Sequence, residues 1–198
     1  TKKPFVPINH LEGHVLSPTI NNNIKYPFLC FLLTGGHTQI YLIKDIDNYE
    51  LIGDSLDDAI GEAFDKVAKL IGMGYPGGVE IEKLSKYGDE NSINLPHPLK
   101  KNRDLNFSFS GIKTAISLIV KKQKTINNKF KYNLSASFQK KVTEILENKF
   151  LLSLEYLDGN NICIKQVALV GGVAANQYIH KKIKDLSLKK NVNIIVPP

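Results

Sequence analysis

A layered α/β domain is the fold class this sequence predicts, and three features predict it. A continuous apolar run, "FLCFLLT" at 28–34, reads as a buried strand. "QVALVGGVAANQYIHKKIKDL" reads as a strand, two glycines and a helix. Between them lie segments in which apolar residues recur with a helical period.

The elements follow in order. The first 27 residues are expected to form a short helix carrying His10 and His14 and then a linker, with the polar turn "INNNIKYP" at 20–27. The remainder, 28–198, is expected to form one α/β lobe with helical insertions. The run at 28–34, then "QIYLIK" and "YELIGDS", are separated by short turns and predict a three-stranded meander. From Asp57 the period changes. Ser55 and Asp58 resemble a capping box, and Ile60, Phe64, Val67 and Ile71 fall on one helix face. "GMGYPGG" stops that helix. A second helix is predicted over 79–86, a third from about Ser110, and a long one over 133–157 with Leu134, Phe138, Val142, Ile145 and Leu146 buried. "NVNIIV" closes as a strand.

The chain has 198 residues, 42% of them hydrophobic, enough for a sizeable core. No run of eighteen apolar residues occurs, which argues against a membrane-spanning helix. Two cysteines, Cys30 and Cys163, sit in apolar stretches without C-x-x-C spacing and predict buried, reduced thiols and a cytoplasmic setting. Net charge is +7, almost all from lysine, since Arg103 is the sole arginine. That balance fits nucleic acid and fits a lysine-biased composition equally. Thr1 is not an initiator methionine, and "NIIVPP" reads as a strand entering a connection, so a longer parent chain is expected.

Four constellations carry chemistry. In "NHLEGH", His10 and His14 are four apart, so a helix places both imidazoles on one face, where they can share a metal ion or simply lie at the surface. Glu12 follows His10 by two positions, about 200° round the helix. It therefore points away from the pair, unlike the acid of H-E-x-x-H proteases, and a third ligand must come from elsewhere. "LLTGGHT" ends a strand in two glycines, which suits an anion cradle or an ordinary β-turn. "VALVGGVAAN" places helix N–H groups beside a ligand or makes a close strand–helix connection; it lacks G-x-G-x-x-G and the P-loop pattern. Asp57, Asp58, Glu62 and Asp65 read as a solvated acidic helix face, or as acids that bind ribose hydroxyls or a metal-bound ligand.

Together these strings, with "GDSLDDAIGEAFDKVAKLIGMGYPGG" and "LNFSFSGIKTAI" in the same order, resemble the bacterial TsaD family of tRNA threonylcarbamoyladenosine transferases across essentially the whole chain. The resemblance implies an actin/Hsp70/sugar-kinase-like (ASKHA) fold, here partial. It implies transfer of a threonylcarbamoyl group from threonylcarbamoyl-AMP to the exocyclic amine of an anticodon-loop adenosine in tRNAs that read codons beginning with adenine. It implies one divalent metal, iron or else zinc, on His10 and His14, and TsaB-like and TsaE-like partners. Leu32, Leu33, Thr34, Gly35 and Gly36 match the family's adenylate loop, and Asp65, Gly78 and Asn176 match further substrate contacts.

Two positions depart from the family pattern: Val79 replaces a usual proline, and Glu82 stands where many members have aspartate. The family's first phosphate-binding turn would precede Thr1, and its third metal ligand, an aspartate, would follow Pro198. No general base is assigned by these motifs. An ATPase or kinase of the same fold superclass and a non-catalytic interaction subunit are the competing readings. The position of Glu12 disfavours a metalloprotease.

Overall fold

The computed structural model describes residues 4, 5, 7, 9–21 and 23–197. Thr1 and Pro198, on which the expectation of a longer chain rests, lie outside the described residues, as does Asn22 of the polar turn.

Five strands form one mixed sheet in the order β3-β2-β1-β4-β5. They are β1 (Phe28–Leu33), β2 (Thr38–Asp45), β3 (Asn48–Gly53), β4 (Gln166–Val170) and β5 (Asn193–Ile195). The first three make the predicted antiparallel meander, with Cys30 opposite Tyr41 and Ile40 opposite Gly53. β4 lies parallel to β1, with Leu32 opposite Val170, and β5 lies parallel to β4.

β1 is apolar throughout because both its faces are covered. Its period of two sends Leu29, Phe31 and Leu33 into the main core, together with Ile40, Leu42, Val167 and Leu169. Phe28, Cys30 and Leu32 face the other way, into a smaller cluster with Tyr41, Ala168, Val170 and Val15. Val15 belongs to α1 (His10–Asn21), which covers that second face. The main-core face is covered by α2 (Ile60–Leu70), α3 (Gly77–Ser85), α4 (Ser110–Lys121), α5 (Asn128–Gly159) and α6 (Gln177–Lys189). Burial pushes the Cys30 thiol far above its ordinary range. Cys163, by contrast, is exposed, because it lies in the connection between α5 and β4 rather than in either. No helix among the described residues is long and apolar enough to cross a membrane.

Three helix boundaries differ from expectation. α2 starts at Ile60, and the Ser55–Asp58 capping box does not form: Ser55 Oγ donates to the Asp58 carbonyl at 2.7 Å. The acceptor for the Ile60 N–H is Thr38 Oγ1, at 2.7 Å. α3 begins earlier than position 79, at Gly77, with Pro76 before it. α5 begins at Asn128 because the Asn127 side chain accepts the Phe130 N–H at 2.9 Å.

The acids of "DDAIGEAFDK" therefore do not share one helix face. Asp57 and Asp58 precede α2, and Lys66 pairs with both Asp58 and Glu62 at 2.7 Å. Asp57 instead serves the start of α4. It accepts hydrogen bonds from Phe109 N at 2.7 Å, Ser110 N at 3.2 Å, Ser108 Oγ at 2.6 Å and Ser110 Oγ at 2.8 Å. Burial alone would raise this carboxyl, but the bonds from Ser108, Phe109 and Ser110 outweigh it and hold the group below the ordinary aspartate value. A depressed folded-state pKa stabilises above the unfolded value, near pH ~4, and the contribution is lost as pH falls through the lower folded value. Asp57→Ala should cost about 1 kcal/mol, the scale of a helix cap, because the carboxylate stays accessible to solvent. Urea denaturation at neutral pH and below pH ~4 checks this: the gap between the two proteins should narrow in acid.

Candidate functional site

The turn between β1 and β2 is built largely by Thr34. Its Oγ1 accepts the His37 N–H at 2.9 Å and, weakly, the Gly36 N–H at 3.3 Å, while its own N–H donates to the His37 carbonyl at 2.9 Å. An ordinary turn thus accounts for Thr34 and Gly36. The Gly35 N–H has no hydrogen-bond partner among the described residues. The first turn of α2 docks onto this hairpin, with Gly61 N–H donating to the Thr34 carbonyl at 3.2 Å. Only glycine allows that approach, since a Cβ at 61 would lie 2.6 Å from Gly35 Cα.

α2 in turn places Asp65, whose Oδ1 accepts the Gly77 N–H at 2.7 Å and so starts α3. The other wall descends from β4. Gly171 (φ 98°) turns the chain into a single 3-10 turn, Gly172–Ala175, and Asn176 caps α6. Asn176 Oδ1 accepts the Ile179 N–H at 3.0 Å, and its Nδ2 donates to Gln139 Oε1 at 2.9 Å. Glu82 of α3 reaches across to accept the Gln177 N–H at 2.9 Å, which ties the two walls together.

Between these walls lies a cleft of about 370 Å³, lined by Gly35, Gly61, Phe64, Asp65, Tyr75, Pro76, Gly78, Val79, Glu82, Gly172, Val173, Ala175 and Asn176. Of the residues singled out in the sequence, Gly35, Asp65, Gly78 and Asn176 meet here. Leu32 and Leu33 do not line it; their side chains are buried in the two clusters on either side of β1, leaving them a backbone role. Thr34 and Gly36 shape the turn beside it. Phe64, Tyr75 and Val173 were not signalled by any motif; Tyr75, 86% exposed inside "GMGYPGG", is the one that an aromatic residue in a glycine-rich turn could have suggested.

The cleft's chemistry is mixed. A Cβ at Gly35, Gly78 or Gly172 would meet nothing within 4 Å, so these positions leave open space for a ligand. The N–H groups of Gly35, Gly78 and Gly172 lack protein acceptors among the described residues, which is the donor pattern of an anion cradle. Asp65 and Glu82 add carboxylates able to accept hydroxyl protons.

α1 forms as predicted, its start capped by Asn9 Oδ1, which accepts the Leu11 N–H at 2.9 Å. The His10 and His14 rings meet edge to face with centroids 4.6 Å apart. Two imidazoles so close on one helix face fit a half-site for a transition metal. No group of three or more His, Cys, Asp or Glu residues suited to a metal occurs among the described residues. His14 lines a second cavity of about 390 Å³ with Ser17, Gly171, Ala175, Val196 and Pro197. Ala175 lines both cavities, so the histidine pair and the glycine cleft flank one turn.

Comparison with known proteins places the chain in a family. The chain matches the sequence model of TsaD, tRNA N6-adenosine threonylcarbamoyltransferase, over residues 1–198. Relatives named tRNA N6-adenosine threonylcarbamoyltransferase include one from Thermosipho africanus (strain TCF52B), 47% identical over 99% of this chain and 58% of its own length. Another, from Pelagibacter ubique (strain HTCC1062), is 44% identical over 99% of this chain and 55% of its own. The chain thus spans somewhat more than half the length of these relatives.

Among solved structures, full-length HypF in its phosphate- and nucleotide-bound form superposes with a TM-score of 0.70 at 18% identity, covering 99% of this chain and 40% of that one. An activator of 2-hydroxyisocaproyl-CoA dehydratase from Clostridium difficile, solved with ADPNP, gives 0.50 at 18% identity, covering 94% and 59%. These likenesses are of fold and bear out the partial ASKHA architecture. By its match over every residue and by the identity of its relatives, the chain belongs to the TsaD family of tRNA N6-adenosine threonylcarbamoyltransferases.

Proposed function

We propose that the protein transfers the threonylcarbamoyl group of threonylcarbamoyl-AMP to N6 of an anticodon-loop adenosine in tRNAs reading codons that begin with adenine. The observation that carries this reading is the glycine-walled cleft sharing Ala175 with the cavity of His14. Adenine N6 is a weak nucleophile because its lone pair is delocalised into the ring, so the acyl donor must be activated. A carbamoyl–phosphate anhydride supplies that activation. The new N6–C bond forms as the C–O bond to phosphate breaks, the electron pair leaves with AMP, and one N6 proton is released.

In this reading the free N–H groups of Gly35, Gly78 and Gly172 hold the phosphate and stabilise the charge it gains as AMP leaves. Asp65 spends one oxygen on Gly77 and offers the other to a ribose hydroxyl. Asn176 acts as a wall, since its amide is engaged by Ile179 and Gln139. His10 and His14 would hold one divalent ion, iron in preference to zinc, with a third ligand from outside the described residues. When bound, such an ion supplies Lewis acidity to orient the threonylcarbamoyl group. TsaB-like and TsaE-like partners and a cytoplasmic setting complete the proposal on family grounds. A kinase or ATPase of the same fold has no need of the histidine pair.

Gly172→Val tests the reading in the intact protein. Position 172 has an ordinary φ and open space around its would-be Cβ, so the fold should survive with its melting temperature nearly unchanged. The side chain would occupy the cleft. AMP affinity and tRNA modification, followed by nucleoside mass spectrometry, should each fall roughly tenfold to hundredfold. A folded Gly172→Val protein that modifies tRNA at the normal rate refutes the assignment.

A further inference from the structure

The positive charge of this protein is not spread evenly. Residues 105–143 contain eight lysines and no aspartate or glutamate, whereas the whole chain carries +7. Everything outside that segment therefore sums to −1, which a uniform lysine bias does not produce. Within the segment, Lys113 lies 3.8 Å from Asp58, Lys140 lies 3.9 Å from Glu90, and Lys141 pairs with Glu144. The five between them, Lys121, Lys122, Lys124, Lys129 and Lys131, make no ion pair among the described residues.

Their placement is specific. Lys121 ends α4, Lys122 and Lys124 lie in the turn after it, and Lys129 and Lys131 stand in the opening turns of α5. Every residue over 121–129 is exposed. The start of a helix is where its dipole opposes cations, so Lys129 and Lys131 are not there to stabilise α5. Lys131 Nζ lies 3.9 Å from Met73 Sδ, and the chain runs from Met73 through Gly74 to Tyr75 at the rim of the cleft. The patch is thus continuous with the mouth of the site. Tyr87, 76% exposed, packs against Tyr132 at its margin with ring centroids 5.5 Å apart.

We propose that the α4–α5 turn, with the start of α5, is a docking platform for the phosphate backbone of the RNA substrate, holding a helical stem while the target base enters the cleft. This rests on the tRNA-directed reading above. Unpaired lysines beside an exposed aromatic match RNA, whose backbone takes point charges along its length and whose unpaired bases stack on rings. A protein partner fits less well, because lysine is depleted from protein–protein interfaces.

The test compares two triple variants of the intact protein with equal loss of charge. One is Lys121→Gln/Lys122→Gln/Lys124→Gln, on the platform. The other is Lys181→Gln/Lys184→Gln/Lys189→Gln, on exposed positions of α6. The probe is an unmodified tRNA transcript, titrated at several salt concentrations, with AMP binding to the cleft as a control for folding. The platform variant should bind the transcript roughly tenfold to hundredfold more weakly near 0.1 M salt, and its log–log salt slope should shrink by about 2–3. AMP affinity should be unchanged in both variants, and the α6 variant should bind the transcript like wild type. Equal losses in the two variants would mean diffuse attraction and overturn the proposal. So would undiminished tRNA binding by the platform variant, including the case in which it loses only affinity for anionic vesicles or for a protein partner. A wild-type protein that binds the transcript through the platform but leaves it unmodified would sink the transferase reading and spare the platform.

Discussion

Alanine at position 171 is expected to cost the fold about 3–5 kcal/mol, although it adds one methyl group. Two independent penalties meet there. The backbone has φ 98° and ψ 169°, a region that residues with a Cβ scarcely populate. The new Cβ would also lie 2.5 Å from the Leu33 carbonyl oxygen and 2.7 Å from Thr34 Cγ2. Neither neighbour is free to yield, since Leu33 is paired with Thr38 of β2 and Thr34 closes the adjoining turn. Chemical denaturation of Gly171→Ala should show the loss directly as a lower midpoint with an unchanged slope. Gly172→Val, one residue on, should leave that midpoint almost where it was. A similar stability for Gly171→Ala and wild type would show that β4 enters the 3-10 turn differently from the geometry described here.

Removing either imidazole of α1 is the second large effect. His10→Ala or His14→Ala in the intact protein should lower affinity for Fe²⁺ or Zn²⁺ on the order of a hundredfold or more, because losing a direct ligand exceeds the loss expected from disturbing a ligand's support. Elemental analysis after dialysis reads this without reference to catalysis. The rest of the molecule should be unaffected, because His10 is exposed and both rings lie outside the two cores. Glu12→Gln separates the two metal chemistries. α1 is helical through this stretch, so Glu12 sits about 200° from His10, and the variant should retain its metal. Full metal content in both histidine variants would dismiss the half-site.

Much of the scaffold was readable from the sequence because its signals are local. The meander shows itself in short polar turns between apolar runs, and β4 and α6 follow from "VALVGGVAANQYI", although the 3-10 turn between them does not. The starts of α2 and α3 were misread because their partners are distant in the chain, whereas α5 begins at a local cap, Asn127. The acceptor for Ile60 N–H is 22 residues away in Thr38, and the carboxylate that starts α4 is Asp57, more than 50 residues upstream. Glu82 is clearest of all. As a single letter it is only a departure from a family pattern, but folded it joins α3 to α6 over 95 positions. The site shows the same division. His10 and His14 announce themselves by spacing, and the glycines by repetition. Which glycines are packed and which face open space depends on the elements laid against them. Gly61 and Gly171 are enclosed, whereas Gly35, Gly78 and Gly172 are open.

α1 is lightly anchored to the sheet, and this bears on how tightly a cation is gripped. Among its described side chains it buries Val15 and Pro18, and Pro18 brings no N–H to the helix ladder. Local opening of this segment therefore costs less free energy than opening the sheet beneath it. An ion held by both imidazoles must spend part of its binding free energy fastening the segment down. Measured affinity consequently reports anchorage as well as ligand chemistry, and trimming Val15, which packs α1 onto the sheet, would loosen the grip on the ion.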